Sequence, residues 1–156
     1  MSYRTGEASA LDILRESDDF DASNTASLAN NEPPGGYGLL DSGAAAHYAF
    51  LKPGPFERAP RTFDTLTTTW TALVELWVRY ADPGAYRALA DVRESALAAF
   101  DRYTALGGAD AVARSLVVGG GPVRVERSPG GGARYLRQDL VLTWEETVTP
   151  ALADGA

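Results

Sequence analysis

The 156-residue chain has no cysteine, one histidine (His47), one lysine (Lys52) and one methionine. Without cysteine there can be no disulfide, thiolate zinc site, iron–sulfur cluster or cysteine nucleophile. No apolar run reaches the roughly 18 residues needed to cross a bilayer. The opening MSYRTGEASALDILRESDDF has no basic stretch leading into an apolar one. The expectation is a soluble protein, made and used in a cytoplasm, with no membrane partner. Basic patches are also missing. The net charge is −7, and residues 1–41 carry eight acids against only Arg4 and Arg15. Residues 42–156 hold thirteen acids against twelve bases, so the acidity sits near the N-terminus. No stripe of cations is present to hold nucleic acid by counterion release.

The chain does hold enough apolar residues for a core. At 45% hydrophobic it is too rich to be wholly disordered, and its length fits one domain. Ser9 and Asp12 have capping-box spacing, and Leu11 and Leu14 share a face, which predicts a short helix within residues 8–20. From Asp21 to Gly43 the composition turns to Ala, Ser, Asn, Pro and Gly, the mark of a long irregular arm. His47–Leu51 is a short strand candidate, ended by Lys52-Pro53-Gly54-Pro55. In residues 69–80 every even position from Trp70 to Tyr80 is apolar. The odd positions mix Thr69, Thr71, Glu75 and Arg79 with Leu73 and Trp77. That period of two predicts a central strand with one buried and one partly covered face.

Asp82-Pro83 marks a helix start, and Leu89, Val92, Ala96, Phe100 and Tyr103 form one apolar stripe up to Gly107-Gly108. A weak helical turn at 110–113 leads to a strand at 114–118, broken by Gly119-Gly120-Gly121-Pro122. Residues 123–127 alternate, and Pro129-Gly130-Gly131-Gly132 turns the chain into a strand over 135–147, predicting an antiparallel hairpin. Leu136, Leu140, Leu142 and Trp144 share its even face. The order implies an α+β fold: a small antiparallel or mixed sheet with one long helix on one face, a short N-terminal helix and an extended arm. The expected division is residues 1–43 (helix and acidic arm), 44–149 (core domain) and 150–156 (loose tail). Val74, Leu76, Val78, Leu140, Leu142 and Trp144 should be buried against Leu89, Val92, Ala96 and Phe100.

Residues suited to catalysis are sparse. His47 has no serine, acid or metal-ligand spacing beside it. Glu145 and Glu146 would point to opposite faces of a strand and cannot share a proton or metal. Asp18 and Asp19 end a solvated helix. The two glycine triplets lack the Lys-Ser/Thr and the strand-to-helix context of a phosphate cradle. The reading is therefore of no catalytic residue, no metal ligand and no cofactor. Trp70, Trp144 and Phe100 read as core. Trp77, on the mixed face, is a candidate for contact with another subunit, as are Phe56, Arg58 and Arg61 after the Pro-Gly turn.

Several motifs in order resemble a known family. They are Leu40-Asp41-Ser42-Gly43, Leu51-Lys52-Pro53-Gly54-Pro55-Phe56, Thr69-Trp70-Thr71, Ala105-Leu106-Gly107-Gly108 and Leu140-Val141-Leu142-Thr143-Trp144-Glu145. Across residues 38–148 this series resembles the tail terminator (tail-completion) proteins of long-tailed bacteriophages. The resemblance implies a small α+β subunit that assembles into a ring, usually of six. Such a ring caps the tail tube and joins it to the head-completion or connector proteins, while DNA passes through the bore without being read for sequence. It also implies a virion protein of the tail or neck, assembled in the bacterial host cytoplasm. The acidic N-terminal region departs from the family pattern. Two other readings stand beside this one: a head-closure or other neck protein of the same particle, and a small α+β pocket enzyme with His47 as its base.

Overall fold

The computed structural model describes residues 3–30, 36–102 and 112–148. Its elements in chain order are α1 (Tyr3–Leu14), β1 (Thr25–Ser27), α2 (Gly38–Ser42), β2 (His47–Thr62), β3 (Thr65–Arg79), α3 (Gly84–Asp101), β4 (Val112–Gly120), β5 (Arg124–Arg127) and β6 (Arg134–Val148). The sheet is mixed and runs β1-β2-β3-β6-β4, with β5 also paired to β6. Only β1 on β2 is parallel; the other pairs are antiparallel. The fold is α+β, as the order of patterns predicts.

The register of β3 on β6 sets the core. Val74 faces Leu140, Ala72 faces Leu142 and Trp70 faces Trp144. The even residues of both strands thus share the face that carries the two long helices, and Val74, Leu76, Val78, Leu140, Leu142 and Trp144 are buried there with Leu89, Val92, Ala96 and Phe100 of α3. The Asp82 Oδ1 accepts from the Gly84 N–H at 2.7 Å, capping α3 next to Pro83. Tyr103, Gly107-Gly108, Asp110 and the tail from 150 lie outside the described residues. Val112 and Ala113, expected in a helical turn, already belong to β4.

Three expectations change. First, α1 begins at Tyr3, so Ser9 and Asp12 are interior and cap nothing. Its buried side includes Gly6, Glu7, Ala10, Leu11 and Leu14, and it is fixed by packing against the sheet and α3 rather than by a cap. Second, β2 does not stop at Lys52-Pro53-Gly54-Pro55 but runs on to Thr62, with a register shift between Pro53 and Phe56. The last β1 partner is Leu51, so β2 is an edge strand from there on, where missing proline N–H groups leave no ladder bond unmade. Third, the described part of residues 21–43 lies on the sheet. β1 pairs with β2, and Leu39 and Leu40 are buried on the far face.

Polar contacts hold that third segment. The Asn24 side chain donates to the Asp19 carbonyl at 2.9 Å and accepts from the Asp21 N–H at 2.8 Å. Arg15 Nε donates to Thr25 Oγ1 at 2.8 Å. Glu7, fully buried on α1, accepts from the hydroxyls of Tyr3 and Ser27 and from the Ala29 N–H at 3.1 Å. These contacts leave no apolar period in the sequence, which is why the segment reads as irregular.

Tyr3 stacks on Trp144 at 5.4 Å and meets Trp70 edge-on at 5.9 Å, bringing α1 close enough that a Cβ on Gly6 would lie 2.6 Å from the Trp144 indole. Alanine favours a helix interior over glycine by about 1 kcal/mol. Overpacking a filled core costs roughly 1–3 kcal/mol. Gly6→Ala should therefore destabilise the fold despite the better helix former, with a lower urea midpoint at unchanged slope. A raised midpoint would contradict this placement of α1.

Candidate functional site

The odd face of the sheet carries a second, smaller core. Tyr48 and Phe50 of β2, Trp77 of β3 and Tyr135 of β6 pack under Leu39 and Leu40 of α2. Tyr135 donates its hydroxyl to the Leu40 carbonyl at 2.9 Å. Beside these rings lies a charged cluster. Glu75 is 0% exposed and pairs with Arg137 at 3.0 Å, whose guanidinium also reaches Asp139 at 2.9 Å and Glu126 at 3.2 Å. Tyr37 donates to both oxygens of Glu75, at 2.7 and 2.8 Å, and the Trp77 Nε1–H donates at 3.1 Å. The Arg137 guanidinium lies 5.2 Å from the Trp77 ring centre.

The charge states follow from this surrounding. Burial raises the Tyr37 hydroxyl pKa above the usual tyrosine value, and its hydrogen bond to Glu75 raises it further. Burial pulls Arg137 downward, but the hydrogen bond to Asp139 and the charge of Glu75 outweigh it and leave the guanidinium more firmly protonated. Both carboxylate oxygens of Glu75 accept from donors, so the group anchors Tyr37, Trp77 and Arg137. Among the described residues no three His, Asp or Glu side chains converge in a way that could hold a metal ion.

The residues singled out from sequence fall in different places. His47 is half-buried, with Nε2 2.6 Å from the Asp19 carbonyl and its ring edge-on to Phe20 at 5.6 Å. Gly119 and Gly120 do not break the strand after Val118 but end β4, paired with Val141 and Leu140, and Gly130–Gly132 lies between β5 and β6, so neither triplet opens a helix. Trp77 is 3% exposed inside its own subunit, which removes it from the candidate subunit boundary. Phe56 is 58% exposed, tilted against Trp70 at 5.3 Å. Arg58 pairs opposite Thr68 and shares the helix-side face with Phe56, whereas Arg61 Nη1 donates to Thr147 Oγ1 on the other face at 3.3 Å. The three hairpin residues are close in sequence but do not form one patch.

Sequence reading missed the Glu75–Arg137 pair. The available signal was an isolated acid at an odd position of an apolar strand and an Arg–Asp alternation, Arg137 and Asp139, in the same parity of another. Comparison with protein-family models finds no match, and comparison with curated proteins finds none either.

Two outcomes follow for this cluster. Removing one member of a buried pair leaves an uncompensated charge and costs about 3–5 kcal/mol. Glu75→Ala should lose stability on that scale in chemical denaturation, and a loss under about 1 kcal/mol would mean that the pair is not desolvated. The tyrosines bear on alkaline stability. Tyr3 and Tyr37 both have raised values in the fold against the ordinary 10.0, so they favour folding below that pH and the benefit is lost as pH rises through their folded values. Part of the tyrosine absorbance change should lag beyond the ordinary range and coincide with loss of circular dichroism. Complete ionisation at the ordinary value with a native spectrum would contradict the burial of these hydroxyls.

Proposed function

We propose that the chain is a structural virion protein of a long-tailed bacteriophage. In this reading it is a tail terminator whose ring caps the tail tube, contacts the head-completion or connector protein and lets DNA through its bore. The observation that carries the reading is the outer half of the β2–β3 hairpin. From Lys52 to Asp64 nearly every residue is exposed, with Phe56 open and Phe63 fully so. Apolar side chains presented on an exposed edge strand and its turn are what an assembling subunit needs and what a monomeric pocket protein does not.

Other features agree. The Pro-Gly landmark of the resemblance lies where β2 becomes an edge and shifts register. The Trp70 landmark supports Phe56, and the Leu140–Glu145 landmark lies on β6, an interior strand between β3 and β4. Arg58 and Arg61 sit on opposite faces of the hairpin, where a neighbour on either side can meet one of them. Arginine is well suited to such contacts because its guanidinium makes multidentate bonds to carboxylates.

Light scattering with gel filtration should find a defined ring, or a monomer that assembles on tail tubes. Deleting the gene should give tails of uncontrolled length; tails of normal length detached from heads would favour a neck or head-closure role instead. Arg58→Glu with Arg61→Glu should leave folded subunits that no longer join. A monodisperse ring with normal tails in that variant would place both arginines outside the interface.

A further inference from the structure

The β2–β3 hairpin ends in a two-residue turn, Phe63-Asp64, between the paired residues Thr62 and Thr65. Phe63 is the most exposed large apolar side chain among the described residues. Asp64 is exposed as well and accepts only from Thr62 Oγ1, at 3.0 Å. The tip therefore presents an aromatic ring next to a carboxylate.

A site of matching character lies on the opposite flank of the sheet. Between α3 and the outer strand β4 there is an open groove of about 390 Å³, lined by Leu97, Val117, Val118 and Leu140 and by the Arg93 side chain. Val118 is more than half exposed, and beyond it Gly119 and Gly120 add no side chain to the strand side of the groove. Arg93 is half-buried and donates to Gln138 Oε1 at 3.0 Å, with no carboxylate among the described residues within ion-pair distance. A partly desolvated cation with spare donors beside an apolar trough calls for a ligand that carries an apolar group next to an acid.

We infer that the Phe63-Asp64 tip of one subunit docks in the α3–β4 groove of a second copy, with Phe63 against Leu97, Val117 and Val118 and Asp64 on Arg93. The tip cannot fill its own groove. Val117 is level with Leu142, and Leu142 with Ala72, so tip and groove are separated by roughly 27 Å along β3 from strand rise alone. Two different surfaces meeting make a heterologous contact, which repeats around a closed ring. The inference rests on the self-assembly proposed above and names the surfaces that carry it.

The cysteine-free chain allows a direct test. Phe63→Cys combined with Leu97→Cys in the full chain should, on mild oxidation, give a ladder of covalent species extending beyond the dimer on a non-reducing gel. Either single variant should stop at dimer. If the unaltered chain forms rings by light scattering and the double variant gives no ladder, this contact is wrong and the ring reading survives. If the unaltered chain stays monomeric both alone and with tail tubes, both fall. A charge exchange provides an independent check. Asp64→Arg should weaken assembly at least tenfold with unchanged circular dichroism, and adding Arg93→Asp should restore it; failure of the second change to restore assembly would overturn the pairing.

Discussion

The antiparallel ladder of β3 on β6 runs unbroken from Leu66 opposite Val148 to Arg79 opposite Tyr135, while the flanking pairs of β2 and β4 both contain register shifts. That register decides what each face of the sheet offers, because a slip of one residue would exchange the faces. On one side it lines up Val74 with Leu140 and Trp70 with Trp144, making the surface on which α1 and α3 lie. On the other it brings Glu75 and Trp77 beside Arg137 and Asp139. A slipped register would bury these charges against the helices and expose the large core residues to water.

The two faces are held by different physics. The helix side is apolar and gains from area removed from water, at roughly 25 cal/mol per Å². The far side is small, and its centre is ionic. A buried ion pair does little for stability compared with an apolar replacement, but it penalises arrangements that separate its members. Glu75 and Arg137 sit on adjacent strands, and Tyr37, from the segment that leads into α2, closes over Glu75. The pair therefore ties strand register to the placement of α2.

Beyond Leu51 the sheet outgrows its cover. β1 ends and β2 becomes an edge, with Phe56 resting on Trp70, while β6 still pairs with β3 as far as Val148 opposite Leu66. Prolines 53, 55 and 60 and the charges of Glu57, Arg58 and Arg61 protect this edge against unspecific pairing.

Much of this architecture is written in local pattern. The alternation of residues 70–80, the stripe of α3, its Asp82-Pro83 start and the hairpin into β6 follow from the periods of strand and helix, and those periods place the main core. The true span of α1, the docking of residues 21–43 and the passage of β2 through Lys52-Pro53-Gly54-Pro55 are not legible there. They depend on partners distant in sequence: Trp144 against Gly6, Asn24 beside β2, and the end of β1 at Ser27, opposite Leu51. The candidate surfaces divide in the same way. Phe56, Arg58 and Arg61 stand out in a polar, proline-broken stretch, but whether they share a face depends on a bulge and a twist in pairing. Trp77 looks available in sequence, and only α2 and the Glu75–Arg137 pair take it out of reach. Periodicity records which face a residue belongs to; what covers that face is decided by tertiary contacts, because burial depends on elements that the local chain does not contain.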